Sequence, residues 1–365
     1  MHPNQNVSEE AVLAALATVN DPDLKRPLTE LGMIENVAIC GGNVKFEIKL
    51  TTTACPLKDK IKNDAMDAVR QIAGVESVHA EISKNTVTLQ AGVKERERIP
   101  GIQNIIAISS GKGGVGKSTV SVNLACAMAK AGARVGILDA DIYGPNVPMM
   151  MGLHGQKLDK ANEKGQLVPP ENHGVKVMSM AFLVKDNQPV VWRGPLLDKV
   201  IRQFLTDTAW GELDYLLIDL PPGTGDAQLT IIQATPVVGA VIVTTPQEVA
   251  LLDSRKGLAM FVNANIPVLG IVENMSYYQL PDGSKDYIFG QDGGQKAAES
   301  LNVPFLGGVP LVSQLRQEAD QGRPIVVAAP DSPPAQVLSD VAHKTVARVC
   351  QMSITPEPQR EPATV

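Results

Sequence analysis

The chain has 365 residues, with 33 lysines and arginines against 39 aspartates and glutamates, a formal charge of −6 and a pI near 5.5. That balance speaks against a broad nucleic-acid-binding surface, and an aromatic content of 4% speaks against stacking platforms for single strands. No apolar run approaches the length that spans a bilayer, the N-terminus lacks a basic segment followed by an apolar core, and four scattered cysteines fit a reducing cytoplasm better than a disulfide scaffold.

Residues 1–92 read as a small α+β domain. Ser8 is placed to cap a helix whose apolar face uses Val12, Leu13, Leu16 and Val19. Val37–Cys40 and Val44–Leu50 are expected as strands joined by a Gly-Gly-Asn turn into a hairpin. Pro56 suits the first position of a second helix, with Ile61, Ala65, Val69 and Ile72 on one face, and places Cys55 near its N-cap. Val75–Ile82 and Thr86–Leu89 are further strand candidates. The charge-dense stretch 93–101 reads as a linker.

From residue 102 the pattern changes to alternating strand and helix. Strands are expected at Ile105–Ile108, Val135–Leu138, Val175–Met178, Tyr215–Ile218, Ala240–Thr244, Val268–Val272 and Val303–Leu306. Helices are expected at 117–131, 195–209, 226–234, 249–263, 293–300, 313–321 and 334–350. This rhythm predicts an α/β domain over 102–352, a mostly parallel sheet with helices on both faces and ligands at the carboxyl ends of the strands. Residues 353–365, rich in Pro and Glu, read as a disordered tail.

Three stretches carry chemistry. After the apolar run Ile105–Ile108 comes GKGGVGKST, Gly111 to Thr119, opening a helix. Glycines leave no Cβ in the way, so the N–H groups of Gly111, Lys112, Gly113, Gly114, Val115 and Gly116 can turn inward on a phosphate. The helix N-terminus adds its positive end, Lys117 reaches the outer phosphates, and the Ser118 hydroxyl can ligate Mg²⁺. The second stretch is DADIYGPN, 139–146, where Asp139 and Asp141 follow a strand and can order Mg²⁺ or orient an attacking water. The alternative is a pair of solvated aspartates capping a turn. The third is LLIDLPPGTGD, ending at Asp226, with Asp219 in the Walker-B position for the Mg²⁺ shell. Its Gly223 and Gly225 allow the loop to approach a γ-phosphate and to move when it leaves.

Together these motifs resemble the deviant Walker-A family of P-loop ATPases that includes MinD, ParA and the nitrogenase iron protein. The mark is Lys112, the extra lysine in KGGVGKST. Asp139–Asn146, Trp192–Pro195, Leu220–Asp226, Val272–Ser276, and Phe289–Gly290 with Gly293–Gly294 look like the Mrp/ApbC branch. Residues 21–24 (DPDL), 31–34 (LGMI) and 51–56 (TTTACP) are similar to an N-terminal iron–sulfur assembly domain.

The resemblance implies a cytoplasmic, homodimeric ATPase that hydrolyses ATP slowly and carries iron–sulfur clusters to apo-proteins with the help of assembly factors, without binding nucleic acid or membrane. Lys112 would contact the nucleotide of the partner subunit, Asn274 would recognise adenine, and Arg193 and Tyr143 would lie near the site. Relatives commonly carry a Cys-x-x-Cys pair after the Glu-Asn-Met-Ser segment, for a bridging [4Fe–4S] cluster. Residues 277–287 here contain no cysteine. Cys55 is then the remaining candidate, as a thiolate at a helix N-terminus or as a small residue of the domain core. Cys126, on the phosphate-loop helix, reads as core, and Cys40 and Cys350 lack a metal-ligand spacing. The alternative reading is a MinD- or ParA-like positioning ATPase without cluster cargo, and a less favoured one is a reductase similar to the nitrogenase iron protein.

Overall fold

The computed structural model describes residues 7–40, 42–50, 57–83, 99–142, 144–158, 162–163, 165–183, 194–280 and 282–354, with backbone only for 194–198 and 353–354. They form two compact units: one of the residues up to 92 with those from Val346 onward, the other of residues 93–345. Cys55, Pro56, Thr86–Leu89, Tyr143, Arg193, most of the 93–101 stretch and residues 355–365 lie outside the described residues.

The first unit is built from α1 (Glu9–Leu16), β1 (Ile34–Cys40), β2 (Asn43–Ile48), α2 (Lys58–Arg70) and β3 (Ser77–Ile82). The Ser8 hydroxyl accepts the Ala11 N–H at 3.2 Å and starts α1. Val12 and Leu16 are buried, whereas Leu13, expected on the same face, is exposed. A helix this short spans little more than two turns, so its buried stripe is narrow. β1 and β2 pair antiparallel, and β3 adds in parallel beside β2 with α2 as the crossover. Ile61, Ala65 and Val69 line one side of α2 and pack with Phe46, Ile48, Leu28 and Met33 in one core.

The second unit contains β4 (Ile102–Ser109), α3 (Lys117–Lys130), β5 (Val135–Asp139), α4 (Val147–Met150), β6 (Glu171–Asn172), β7 (Val175–Ser179), α5 (Gly194–Thr206), β8 (Leu213–Asp219), α6 (Asp226–Ala234), β9 (Val237–Thr244), α7 (Glu248–Asn263), β10 (Val268–Glu273), β11 (Tyr278–Gln279), β12 (Lys285–Asp286), α8 (Gly293–Ser300), β13 (Phe305–Gly308), α9 (Ser313–Asp320), α10 (Ile325–Ala328) and the part of α11 (Pro333–Ile354) before Val346, the rest of that helix belonging to the first unit. The sheet runs β13-β10-β9-β4-β8-β5-β7-β6, parallel throughout except for the short edge strand β6. Helices flank it. β5, β8 and β10 are buried at every residue, which is why they read as continuous apolar runs.

This arrangement brings the three motif strands together. β8 lies between β4 and β5 in register, with Ile108 opposite Asp219 and Asp139 opposite Asp219. The phosphate loop and both strand-end aspartates therefore emerge at one carboxyl edge, the place where open parallel sheets bind ligands. α11 packs on the sheet with the Val341 and Val337 side chains against Gly307 of β13 and the Lys344 ammonium on the Leu306 carbonyl at 3.1 Å, and Leu338 and Val341 are buried. Among the described residues no helix is long and apolar enough to cross a membrane.

Candidate functional site

The site is organised around one carboxylate. Asp219, fully buried at the end of β8, takes the Lys117 ammonium on Oδ2 at 2.9 Å and the Ser118 hydroxyl on the same oxygen at 2.6 Å. Its Oδ1 accepts the Ser121 hydroxyl at 2.5 Å, while Ser121 also faces the Lys117 carbonyl. Lys117, Ser118 and Ser121 all sit in the first turn and a half of α3, so helix geometry aims all three at the neighbouring strand end. An ammonium that is only 6% exposed requires such a partner, since an unpaired buried charge is very costly.

The loop that precedes α3 holds its shape for several distinct reasons. Gly114 and Gly116 have φ of +79° and +81°, the left-handed region where a side chain is strained. Gly111 instead has a close neighbour, because a Cβ there would lie 2.3 Å from the Asp253 backbone of α7. Asn274, just past β10, donates its Nδ2 to the Val115 carbonyl at 2.8 Å and pins the loop from above. The turn that carries Asn274 is fixed in turn by buried Glu273, whose carboxylate accepts the Ser276 hydroxyl at 2.6 Å and the Gly294 N–H at 2.5 Å. Lys112 is half-buried and donates to the Gln247 side-chain oxygen at 3.4 Å, at the N-cap of α7.

Asp139 ends β5, opposite Asp219 in the register of the sheet. It is fully buried, with Oδ2 accepting the Ser179 hydroxyl at 3.1 Å and the Val147 N–H at 3.2 Å, and Oδ1 accepting the Asp141 N–H at 3.2 Å. Burial pushes its carboxyl well above the usual carboxylate range and the charge of Asp219 adds to this, against the opposing pull of Lys117 and of the Ser179 and Asp141 hydrogen bonds. A carboxyl whose pKa is raised in this way is a weaker cation ligand than Asp219 beside it. Asp141 is half-buried and accepts the Gly144 N–H at 3.3 Å.

The structure thus brings together Gly111, Lys112, Gly113, Gly114, Val115, Gly116, Lys117, Ser118, Thr119, Asp219 and Asn274, with Asp139 and Asp141 on the adjoining strand end. Sequence reasoning missed Ser121, Gln247 and Gln228. Ser121 had a signal, because it lies one turn beyond Lys117 on the same face. Gln247 and Gln228 had none, since their partners are brought in by the sheet.

A family model described as NUBPL iron-transfer P-loop NTPase matches residues 101–346. The chain belongs to this family. A second model, described as iron-sulfur cluster assembly protein, matches residues 9–82. Among the relatives of this NTPase, the iron-sulfur cluster carrier protein of Synechocystis is 52% identical over 95% of the chain and 99% of the relative. The protein of the same description from Escherichia coli K12 is 42% identical over 93% and 91%. The iron-sulfur cluster transfer protein NUBPL of Dictyostelium discoideum is 45% identical over 72% and 84%. Among solved structures, a nucleotide-binding protein of Archaeoglobus fulgidus in complex with ADP shares 45% identity over 62% of this chain and 89% of that one, with a TM-score of 0.56. The cell-division ATPase MinD of Pyrococcus furiosus shares 25% identity over 66% and 97%, with a TM-score of 0.50. As an iron-transfer NTPase the chain is a nucleotide-hydrolysing enzyme of the P-loop class, and its kinship with MinD lies at the level of the ATPase domain.

Among the described residues no three His, Cys, Asp or Glu side chains cluster as a metal-binding group. Cys126 is buried beside the Met151 sulfur, and burial pushes its thiol up to about 12, so it is a core thiol and no thiolate at neutral pH. After Ser276, β11 and β12 pair antiparallel, and the Lys285 ammonium lies 4.0 Å from the centre of the Tyr277 ring.

Proposed function

We propose that this chain is a cytoplasmic ATPase that carries an iron–sulfur cluster and uses its nucleotide state to load the cluster and release it to apo-proteins. The observation that carries the nucleotide half is the convergence of Lys117 and Ser118 on Asp219. A lysine for the β- and γ-phosphates, with a hydroxyl 2.6 Å from a carboxylate that the lysine meets at 2.9 Å, is the group set that Mg·ATP takes. Ser118 and Asp219 would hold the Mg²⁺, with Asp139 in support opposite Asp219, and Thr119 would follow the phosphates at the helix N-terminus. Bound Mg²⁺ neutralises charge that builds up on the phosphates. Lys117 binds the outer phosphates, Asp141 orients the attacking water, and Asn274, while holding Val115, keeps its carbonyl oxygen for the adenine amino group.

The cargo half rests on the family and on the assembly domain over 9–82. These favour the carrier over a MinD-like positioning ATPase, as does α11, whose apolar side packs on the sheet rather than facing outward for a membrane. The cluster, [4Fe–4S] in this reading, is substrate. With Cys126 and Cys350 buried, and Cys40 exposed but with no second cysteine at a metal-ligand spacing, Cys55 is the ligand proposed, two copies meeting in a dimer. Anaerobic reconstitution with iron and sulfide should give a cluster that a chelator removes and an apo-protein accepts. Cys55→Ala should take up about a tenth or less of the wild-type iron and sulfide, given that two thiolates are lost per dimer. Equal uptake by the variant overturns the ligand assignment, and no uptake by the wild type overturns the cargo.

The dimer rests on Lys112. Gln247 is a weak partner at 3.4 Å, so the ammonium can exchange it for a phosphate oxygen of the facing subunit. Lys112→Ala should keep nucleotide binding yet fail to dimerise with a non-hydrolysable ATP analogue in light scattering. A variant that dimerises as the wild type does sinks this role.

A further inference from the structure

One buried side chain spans the gap between the phosphate loop and the loop after Asp219. Gln228, in the first turn of α6, is 1% exposed. Its Oε1 accepts the Ser109 hydroxyl at 3.2 Å, at the last residue of the central strand β4. Its Nε2 donates to the Pro221 carbonyl at 2.5 Å, with a longer approach of 3.5 Å to the Ser110 carbonyl. The Ser110 carbonyl also accepts the Gly223 N–H at 3.0 Å. One amide therefore meets the end of the strand, the start of the phosphate loop and the turn that follows the Walker-B aspartate.

The loop it holds is otherwise lightly packed. Nothing lies within 4 Å of a Cβ built at Gly223 or Gly225, and Gly223 has φ of +100°. A Cβ built at Gly113 of the phosphate loop would lie 3.9 Å from the Pro222 ring. A segment with two glycines and little side-chain contact takes its position from its few polar tethers.

We propose that Gln228 is a positioning residue for ATP hydrolysis, fixing the Pro221–Gly225 loop against the phosphate loop through the Pro221 carbonyl. The inference rests on the ATPase reading and adds to it a residue that touches neither nucleotide nor metal. Because Ser109 is held in β4, its hydroxyl orients the amide, so that Nε2 faces Pro221. The loop then stands at one distance from the γ-phosphate position, and hydrolysis depends on that distance, whereas ADP binding does not.

The test compares Gln228→Leu, Gln228→Glu and Ser109→Ala with the wild type in the full-length protein. Gln228→Leu fills the space and removes both hydrogen bonds. It should bind ADP within about twofold of wild type and lose about tenfold or more in kcat, with KM for ATP nearly unchanged. Gln228→Glu restores the same donor and acceptor only when its buried carboxyl carries a proton. Its kcat relative to wild type should therefore rise as pH falls from about 8 to about 6, and the leucine variant should show no such recovery. Ser109→Ala should lower kcat by itself and add nothing in the Gln228→Leu background. A leucine variant with wild-type kcat overturns the proposal. So does a parallel loss of kcat and ADP affinity with no acid recovery in the glutamate variant, which marks a structural role. If the leucine variant does not fold, the pH profile of the glutamate variant decides. A wild type that hydrolyses no ATP overturns the ATPase reading and this inference with it, whereas hydrolysis unaltered in the variants overturns this inference alone.

Discussion

Asp219→Asn should abolish measurable ATP turnover, a loss of at least about 100-fold in kcat, or about 2.7 kcal/mol. The carboxylate accepts three donors, from Lys117, Ser118 and Ser121, on two oxygens. An asparagine of the same shape has one acceptor, and its amide nitrogen points a donor at donors. It also withdraws the negative charge that Mg²⁺ needs beside the Ser118 hydroxyl. Stability should fall too. Breaking a buried ion pair by removing one partner typically costs about 3–5 kcal/mol. Here the cost should lie at the low end, because Asp139 is released. Repulsion from Asp219 is one cause of its raised pKa, after burial, and without that charge it ionises more readily. Phosphate release at saturating Mg·ATP, with denaturant melts alongside, checks both halves. Turnover within about threefold of wild type is the result that sinks the assignment of Asp219.

The second large effect is expected at Gly116. A Cβ there would sit 2.1 Å from the Asn274 amide nitrogen, which is itself engaged with the Val115 carbonyl. Gly116→Ala therefore combines backbone strain at φ +81° with a contact that forces Asn274 off the loop. The strain alone is worth about 1–2 kcal/mol. An orphaned Val115 carbonyl adds about 1–3 kcal/mol. Gly114→Ala separates the two, because Gly114 has a similar φ of +79° with nothing within 4 Å of its Cβ position. Melts measured without nucleotide should show Gly116→Ala destabilised by at least about 1 kcal/mol more than Gly114→Ala. The Gly116 variant should also bind ADP at least about tenfold more weakly than wild type. Equal melting of the two variants rules out the Asn274 clasp.

These residues show where the sequence was legible. The parallel strands were visible because strands buried on both faces leave uninterrupted apolar runs, and the helix at 226–234 was read with its observed bounds. Lys117, Ser118 and Asp219 were read because a strand followed by a glycine loop leaves little freedom in where they point. The glycines were legible as glycines but not in their reasons. Gly111 is required by the backbone of Asp253, more than 100 residues away in sequence, and no local pattern carries that. Asn274 was assigned to adenine by resemblance, and its hold on Val115 emerged only from the fold. Gln228 was invisible, since a lone glutamine on a helix has no motif. The elements that escaped are short: α4 and α10 have four residues each, and β6, β11 and β12 have two each, too few for any periodicity to register. Leu13 misled because an apolar residue at helical spacing need not be inside.

The three donors on Asp219 have a consequence for the order of events. To reach a phosphate, Lys117 must let go of Asp219, whereas Ser118 can offer an oxygen lone pair to a metal while its proton stays hydrogen-bonded to Asp219. Nucleotide arriving alone takes the lysine and strands a buried carboxylate opposite a second acid. Metal arriving alone enters next to an ammonium. Only the two together make an even exchange of partners, charge for charge. Such a site should act as a coincidence detector, binding the magnesium complex of its nucleotide in preference to either component by itself.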